Sequence, residues 1–174
     1  MKHLSIIMIF LLLASPVTFS QTKLAESIFD VLDVTSKPVI TKGDHGTELN
    51  LFGFEGGRAL KFNNDYHLFT TEMYGLPVWN KTRLSHWKSP DGKKWTRLST
   101  VFESSGKFDG TDTHACLWSP MPTFDNSKDC WCLTYVAYRS KPNTEEAWFR
   151  NYDGRIYIAY SQIKGQMGIS VPYK

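Results

Sequence analysis

The residues best suited to chemistry gather in Gly110-Thr111-Asp112-Thr113-His114-Ala115-Cys116-Leu117-Trp118-Ser119-Pro120. A carboxylate and an imidazole stand just before a Trp-Ser-Pro corner, and an aromatic-rich run from Cys130 to Tyr138 comes after a polar turn at Phe124 to Asp129. His114 can hydrogen-bond a carboxylate or a sugar hydroxyl, and Trp118 offers a flat apolar face on which a sugar ring can stack. Earlier in the chain, Glu55 is flanked by Gly56 and Gly57, a pair that lets the backbone turn sharply while a carboxylate projects into a cleft. Arg58 either steers that carboxylate or covers a strand edge. Each residue has a plain structural alternative: Glu55 as a solvated turn residue, Asp112 as a loop cap through backbone N–H groups, His114 as a loop side chain, Trp118 as core. Glu72, with Tyr74 and Trp79, falls on what reads as a loop over the same mouth and is a further candidate for ligand contact.

Composition narrows the function classes. The 174 residues allow one domain, and 41% hydrophobic content is enough to build a core. Aromatics reach 14%, with six Trp and eight Tyr, which suits β-rich architecture as well as sugar-stacking surfaces. The formal charge of +3, less the one charge of Lys2, leaves +2 in a chain without its first 20 residues, with Lys and Arg spread along it. A nucleic-acid partner therefore has no support. Residues 1–20 have the form of a signal peptide, with Lys2 and His3, an apolar run from Leu4 to Leu13 and a more polar end. Export is the expectation, to the periplasm or the medium, with no stable membrane insertion after cleavage, because the run is short of the ~20 apolar residues of a span. Of the three cysteines, Cys116 can pair with Cys130 or Cys132, whereas 130 and 132 on one strand are poor partners for each other. Neither the Cys spacing nor His114 makes a zinc site, and no cofactor or metal is expected.

The elements that must position these residues are strands. Gln21 to Thr47 lacks periodicity, and Leu24 to Val34 is open between a short helix and an extended arm; from Asn50 the pattern turns to period two. Strands are predicted at Arg58 to Phe62, Tyr66 to Thr71, Arg83 to Lys88 and Trp95 to Val101, with tight turns at Asn63-Asn64-Asp65 and Ser89-Pro90-Asp91-Gly92. The plan repeats at Ala115 to Met121, Trp131 to Tyr138 and Gly154 to Ser161, about 70 residues on, a longer period than the ~40 to 50 of compact blades because the loops are long. The expected organisation is a signal peptide over 1–20, a lead-in over 21–49, and an all-β domain over 50–174 with a first blade at about 50–104 and a second at about 105–170.

Phe54-Glu55-Gly56-Gly57-Arg58 before a strand, Tyr66-His67-Leu68-Phe69-Thr70-Thr71-Glu72, the hairpin Ser85-His86-Trp87-Lys88-Ser89-Pro90-Asp91-Gly92-Lys93-Lys94-Trp95, and Leu117-Trp118-Ser119-Pro120-Met121-Pro122 together resemble the five-bladed β-propeller glycoside hydrolases of the arabinanase/β-xylosidase type. The resemblance spans about residues 50–170 and implies an N-terminal part of such a propeller, completed by further chain or by a second chain, since a propeller closes with about four to eight blades. It implies a carbohydrate substrate and roles for particular residues. Glu55 stands where the first-blade carboxylate, a base or nucleophile, is expected, although this type usually has Asp there. Asp112 stands where a second-blade carboxylate is expected. The third-blade acid has no counterpart unless Glu145 or Glu146 substitutes. Two functions are compatible with this: an exported hydrolase of glycosidic bonds in polysaccharide or oligosaccharide, and a non-catalytic carbohydrate-binding propeller module.

Overall fold

The computed structural model describes residues 34–142 and 150–161. From Thr35 on, the described residues belong to one compact unit. The expected signal peptide, most of the lead-in, Glu145, Glu146 and the end of the expected second blade lie outside the described residues.

Among the described residues the fold is all-β, with seven strands and no helix: β1 (Phe54–Phe62), β2 (Asp65–Met73), β3 (Thr82–Ser89), β4 (Thr96–Glu103), β5 (Cys116–Asp125), β6 (Cys130–Ser140) and β7 (Asn151–Tyr160). They form two antiparallel meanders, ordered β1-β2-β3-β4 and β5-β6-β7. The predicted strands all exist, mostly lengthened by a few residues at one end or both. The turns explain the topology. Asn63 and Asn64 take φ of 48° and 68°, the left-handed pair of a tight hairpin, while Asp65 already belongs to β2. At the β3–β4 turn the Ser89 hydroxyl accepts from the backbone N–H of Gly92 at 2.9 Å, and the Asp91 carboxylate accepts from those of Lys93 and Lys94 at 2.8 Å each. These backbone N–H donors, with a smaller contribution from Lys94, hold the Asp91 carboxyl below its usual range.

The sheets pack face to face. Phe69, Leu84 and Val101 of the first meet Leu117, Leu133, Tyr135, Ala137 and Ala159 of the second, all within 6% of full burial. A hydrogen bond from Leu117 N–H to Thr82 Oγ1, 2.8 Å, joins β5 to the start of β3. At one end of this core stands a cluster of rings: Phe62 against Phe124 at 4.3 Å, and His86 stacked on Phe69 at 4.3 Å with 10° between planes. His67 Nδ1 and His86 Nε2 share one hydrogen bond at 2.8 Å, so one ring donates and the other accepts. Burial first, then the positive charges of His67 and Lys88, push the His86 imidazole down to about 4. Burial and Lys88 likewise lower His67, against the pull of Asp65, which itself pairs with Lys88 at 2.7 Å.

The opposite face of the first sheet carries Glu72, Arg83, Trp87 and Arg97. Residues 44–50, at the end of the expected lead-in and the start of the expected all-β domain, fold over it, with Thr47 and Asn50 each 1% exposed. Gly46 lies so close that a Cβ there would stand 2.7 Å from Arg97 Cβ, at a φ of 92° that already favours glycine. The second sheet differs. Its outer face presents Met121, Ile156, Ile158 and Tyr160, with Ile156 73% exposed. The three cysteines are free thiols. Register explains why Cys116 does not reach Cys132: Cys116 pairs with Tyr138, while Cys132 pairs with Thr123, seven residues further along β5 or roughly 23 Å at strand rise.

Two stability outcomes are expected. Glu72→Gln removes the one anion between the buried guanidinium of Arg83 and the half-buried one of Arg97 and is expected to cost about 3 to 5 kcal/mol in urea unfolding; a loss below about 1 kcal/mol would show that the cluster is solvated. His86, depressed in the folded state, must take up a proton on unfolding. Its contribution is therefore complete above about pH 6.5, the unfolded value. The His86 share of stability should fall by roughly 3 kcal/mol between pH 6.5 and 4 and be exhausted below, where the depressed Asp91 and Asp112 carboxyls begin losses of their own. His86→Gln should flatten that slope; an unchanged slope would assign it to other groups.

Candidate functional site

Two irregular strands create the site. In β1 the pairing with β2 slips between Glu55 and Gly57, and Gly56, at φ 58°, is the extra residue of a bulge. In β5 the pairing with β6 slips between Trp118 and Met121, with Ser119 at φ 55° and Pro120 inside the irregularity. Proline fits there because a bulge needs no ladder N–H. Each bulge lies on the first strand of its sheet. Between them opens a cavity of about 420 Å³ lined by Glu55, Trp79, Trp118, Ser119, Tyr138 and Asn151.

The walls are aromatic. Trp118, 7% exposed, packs on Met73 and Cys116. The Trp79 indole, on the loop between β2 and β3, lies 5.7 Å from it at 36°, so a loop of the first sheet and a strand of the second contribute to a single floor. Tyr138 covers the end of β6, where Gly154 of β7 makes room: a Cβ at 154 would stand 2.5 Å from the Tyr138 ring. Asn151 Nδ2 donates to the Trp79 carbonyl at 3.2 Å. Burial raises the neighbouring Cys116 thiol to about 12, so this cysteine is a small apolar wall and not a thiolate. Glu55 is exposed at the bulge, and among the described lining residues it is the one carboxylate; no Lys or Arg stands with it. The arrangement can stack a flat uncharged ring and aim one carboxylate at it. Alone it cannot supply the acid and base pair that glycosidic cleavage needs.

The structure thus brings together two of the six residues singled out by sequence, Glu55 and Trp118. Arg58 lies three residues beyond Glu55 and donates to Met121 Sδ at 3.8 Å, a contact between β1 and β5 outside the cavity lining. Asp112 accepts from the His114 N–H at 2.8 Å, the local cap that was its structural alternative. Its burial, which would raise the carboxyl, is outweighed by the Ser105 hydroxyl and the His114 N–H, so it is held below its usual range and ionised. His114 packs against Tyr157, 4.5 Å away, and touches Thr113 Oγ1 at 3.2 Å. Neither of the two lines the cavity.

Glu72 corrects the sequence reading most sharply, because it stands inside β2, not on a loop. It is 0% exposed, with Arg83 Nε at 2.5 Å and Arg97 Nε at 3.1 Å. Closed off by its cations, its carboxylate is part of the sheet covering and has no face left for a ligand. Sequence reasoning passed over Ser119, Tyr138 and Asn151. Tyr138 closes the aromatic run of β6 and carried a signal; Asn151 carried none, since its place depends on how the two sheets approach. Among the described residues no group of three or more His, Cys, Asp or Glu side chains is arranged to hold a metal ion.

No protein-family model and no curated protein matches the chain. Solved structures do. The GH43_1 enzyme from Xanthomonas citri, determined in complex with xylotriose, superposes with a TM-score of 0.51 at 12% identity, over 79% of this chain and 34% of its own. A GH32 beta-fructofuranosidase of Bombyx mori matches with a TM-score of 0.41 at 16% identity, over 63% and 20% of the two chains. A glycosyl hydrolase from Bacteroides ovatus gives 0.44 at 14%, over 63% and 29%. The chain therefore spans about a third or less of the length of these enzymes. At such identities the likeness concerns fold alone: two antiparallel sheets arranged as in a β-propeller glycoside hydrolase.

Proposed function

We propose that this chain is an exported, glycoside hydrolase-like protein that binds the neutral sugar rings of a polysaccharide or oligosaccharide in the cavity between its two sheets, with Glu55 as the carboxylate directed at the glycosidic bond. The observation that carries the reading is the meeting of Glu55 with the Trp79–Trp118 floor at two bulges. Stacking on indole faces selects ring-shaped ligands, and the absence of Lys and Arg from the described lining offers nothing to an anionic one. In the proposed reaction Glu55 acts as base or nucleophile, and a second carboxyl group must protonate the leaving oxygen. Completion of the propeller by further sheets, on a longer form of the chain or on a second chain, belongs to the proposal. The exposed Met121, Ile156, Ile158 and Tyr160 face supports it.

A second reading, a carbohydrate-binding module without catalysis, is favoured by one specific fact: Glu55 is the one carboxylate among the described lining residues. A single set of measurements separates the two. Xylotriose, arabinotriose and cellotriose are titrated against the full chain while product sugars are assayed. Binding of at least one trisaccharide is expected, weakened about 3- to 10-fold by Trp118→Ala. Hydrolysis that falls about 100-fold or more in Glu55→Gln, with binding retained, establishes the enzyme. Binding without hydrolysis establishes the module. No binding to any of the three would contradict both.

A further inference from the structure

The cavity floor is made of two indoles, one on the loop that joins two strands of the first sheet and one on a strand of the second, so something must set how they meet. Trp118 is fixed by its strand and by burial against Met73 and Cys116. Trp79 is not on a strand. It lies on the loop between β2 and β3, whose own bonds close its base: Tyr74 N–H to Lys81 C=O at 2.9 Å, Asn80 N–H to Pro77 C=O at 3.0 Å, and Ser104 Oγ to Asn80 C=O at 2.6 Å. All of these tie the loop to the first sheet or to itself. Among the described residues, a bond that reaches across runs from Asn151 Nδ2 to the Trp79 carbonyl, between residues 72 apart in sequence.

We infer that Asn151 is a positioning residue, which holds Trp79 beside Trp118 and so sets the stacking floor of the cavity. Asn151 opens β7 opposite Ser140 at the end of β6, so its backbone is placed by the second sheet, the sheet that carries Trp118. Exchange of the amide N and O would set Oδ1 against the Trp79 carbonyl oxygen, two acceptors facing each other, so the donor orientation is defined. Oδ1 is buried and finds no hydrogen-bond partner among the described residues. The inference rests on the proposed carbohydrate reading only for the identity of the ligand, not for the position of Trp79.

Two readouts keep the two ideas separable. Indoles 5.7 Å apart couple their transitions, so the ligand-free chain should show an exciton couplet in far-ultraviolet circular dichroism. Trp79→Phe and Trp118→Phe should each remove it, which assigns it. Asn151→Ala and the near-isosteric Asn151→Asp, which keeps an acceptor and loses the donor, should both lose most of the couplet. Both should also weaken binding of the trisaccharide probes by about 5- to 10-fold, the worth of one net hydrogen bond. A couplet unchanged in both variants overturns the inference. So does an Asp variant that behaves as wild type while Ala does not, since an acceptor would then suffice. If Asn151→Ala fails to fold, the Asp variant carries the comparison. If the wild-type chain binds no sugar, the functional reading falls, and the couplet still decides the role of Asn151.

Discussion

The interface between the two sheets is the constraint on which the rest depends. Phe69, Leu84 and Val101 on one side and Leu117, Leu133, Tyr135, Ala137 and Ala159 on the other exclude water from a single contiguous core. Burial of such side chains contributes about 1.5 to 3 kcal/mol for each of the larger ones. Hydrogen bonds that cross it, among them Leu117 N–H to Thr82 Oγ1 and Asn151 to the Trp79 carbonyl, add little energy but fix orientation. Because the walls of the cavity are carried by both sheets and by the loop between β2 and β3, a shift of the packing by a fraction of a side chain would part Glu55 and Trp79 from Trp118, Tyr138 and Asn151.

Strand irregularity then converts packing into a site. A regular β1 would alternate side chains without interruption, and Glu55 would take its direction from Phe54 and Gly57. The extra residue at Gly56 re-aims it. The irregularity at Ser119-Pro120 does the same for the strand facing it, leaving Trp118 buried in the floor and Ser119 exposed at its rim. Charges are kept out of this region by arrangements elsewhere. Glu72, the one strongly buried carboxylate of the first sheet, is neutralised on the opposite face by Arg83 and Arg97, and Asp112 is occupied by its own loop.

Much of the fold was legible in the sequence, and the reasons are local. Period-two alternation marked all seven strands, and Asn63-Asn64 and Ser89-Pro90-Asp91-Gly92 marked two turns by the φ and hydrogen-bonding needs of their residues. The repeat of the strand plan made two sheets the natural expectation. The site was legible only in part. Glu55 was found because Gly56 and Gly57 announce an unusual backbone, and Trp118 because it adjoins a Ser-Pro corner. Glu72 misled because an acid beside Tyr74 and a coming loop looks solvent-facing. Nothing local shows that Arg97, 25 residues later, will cover it. Asp112 and His114 looked like site residues, one as a carboxylate and one as a ligand contact, because their types suit chemistry, yet the shortest partner each finds is in its own turn. Asn151 was invisible for a related reason: its partner is 72 residues away, and side-chain amides carry no pattern of their own.

The central claim is that a neutral sugar ring lies on the Trp79–Trp118 floor beside Glu55. The most direct test is a titration of the isotopically labelled chain with a neutral oligosaccharide, following the indole Nε1–H resonances by NMR. Signals of Trp79 and Trp118 should move together and saturate with one affinity, while those of Trp87 and Trp131, at 1% and 0% exposure in the sheet packing, stay in place. Shifts confined to other tryptophans, or none at saturating sugar, would contradict the account.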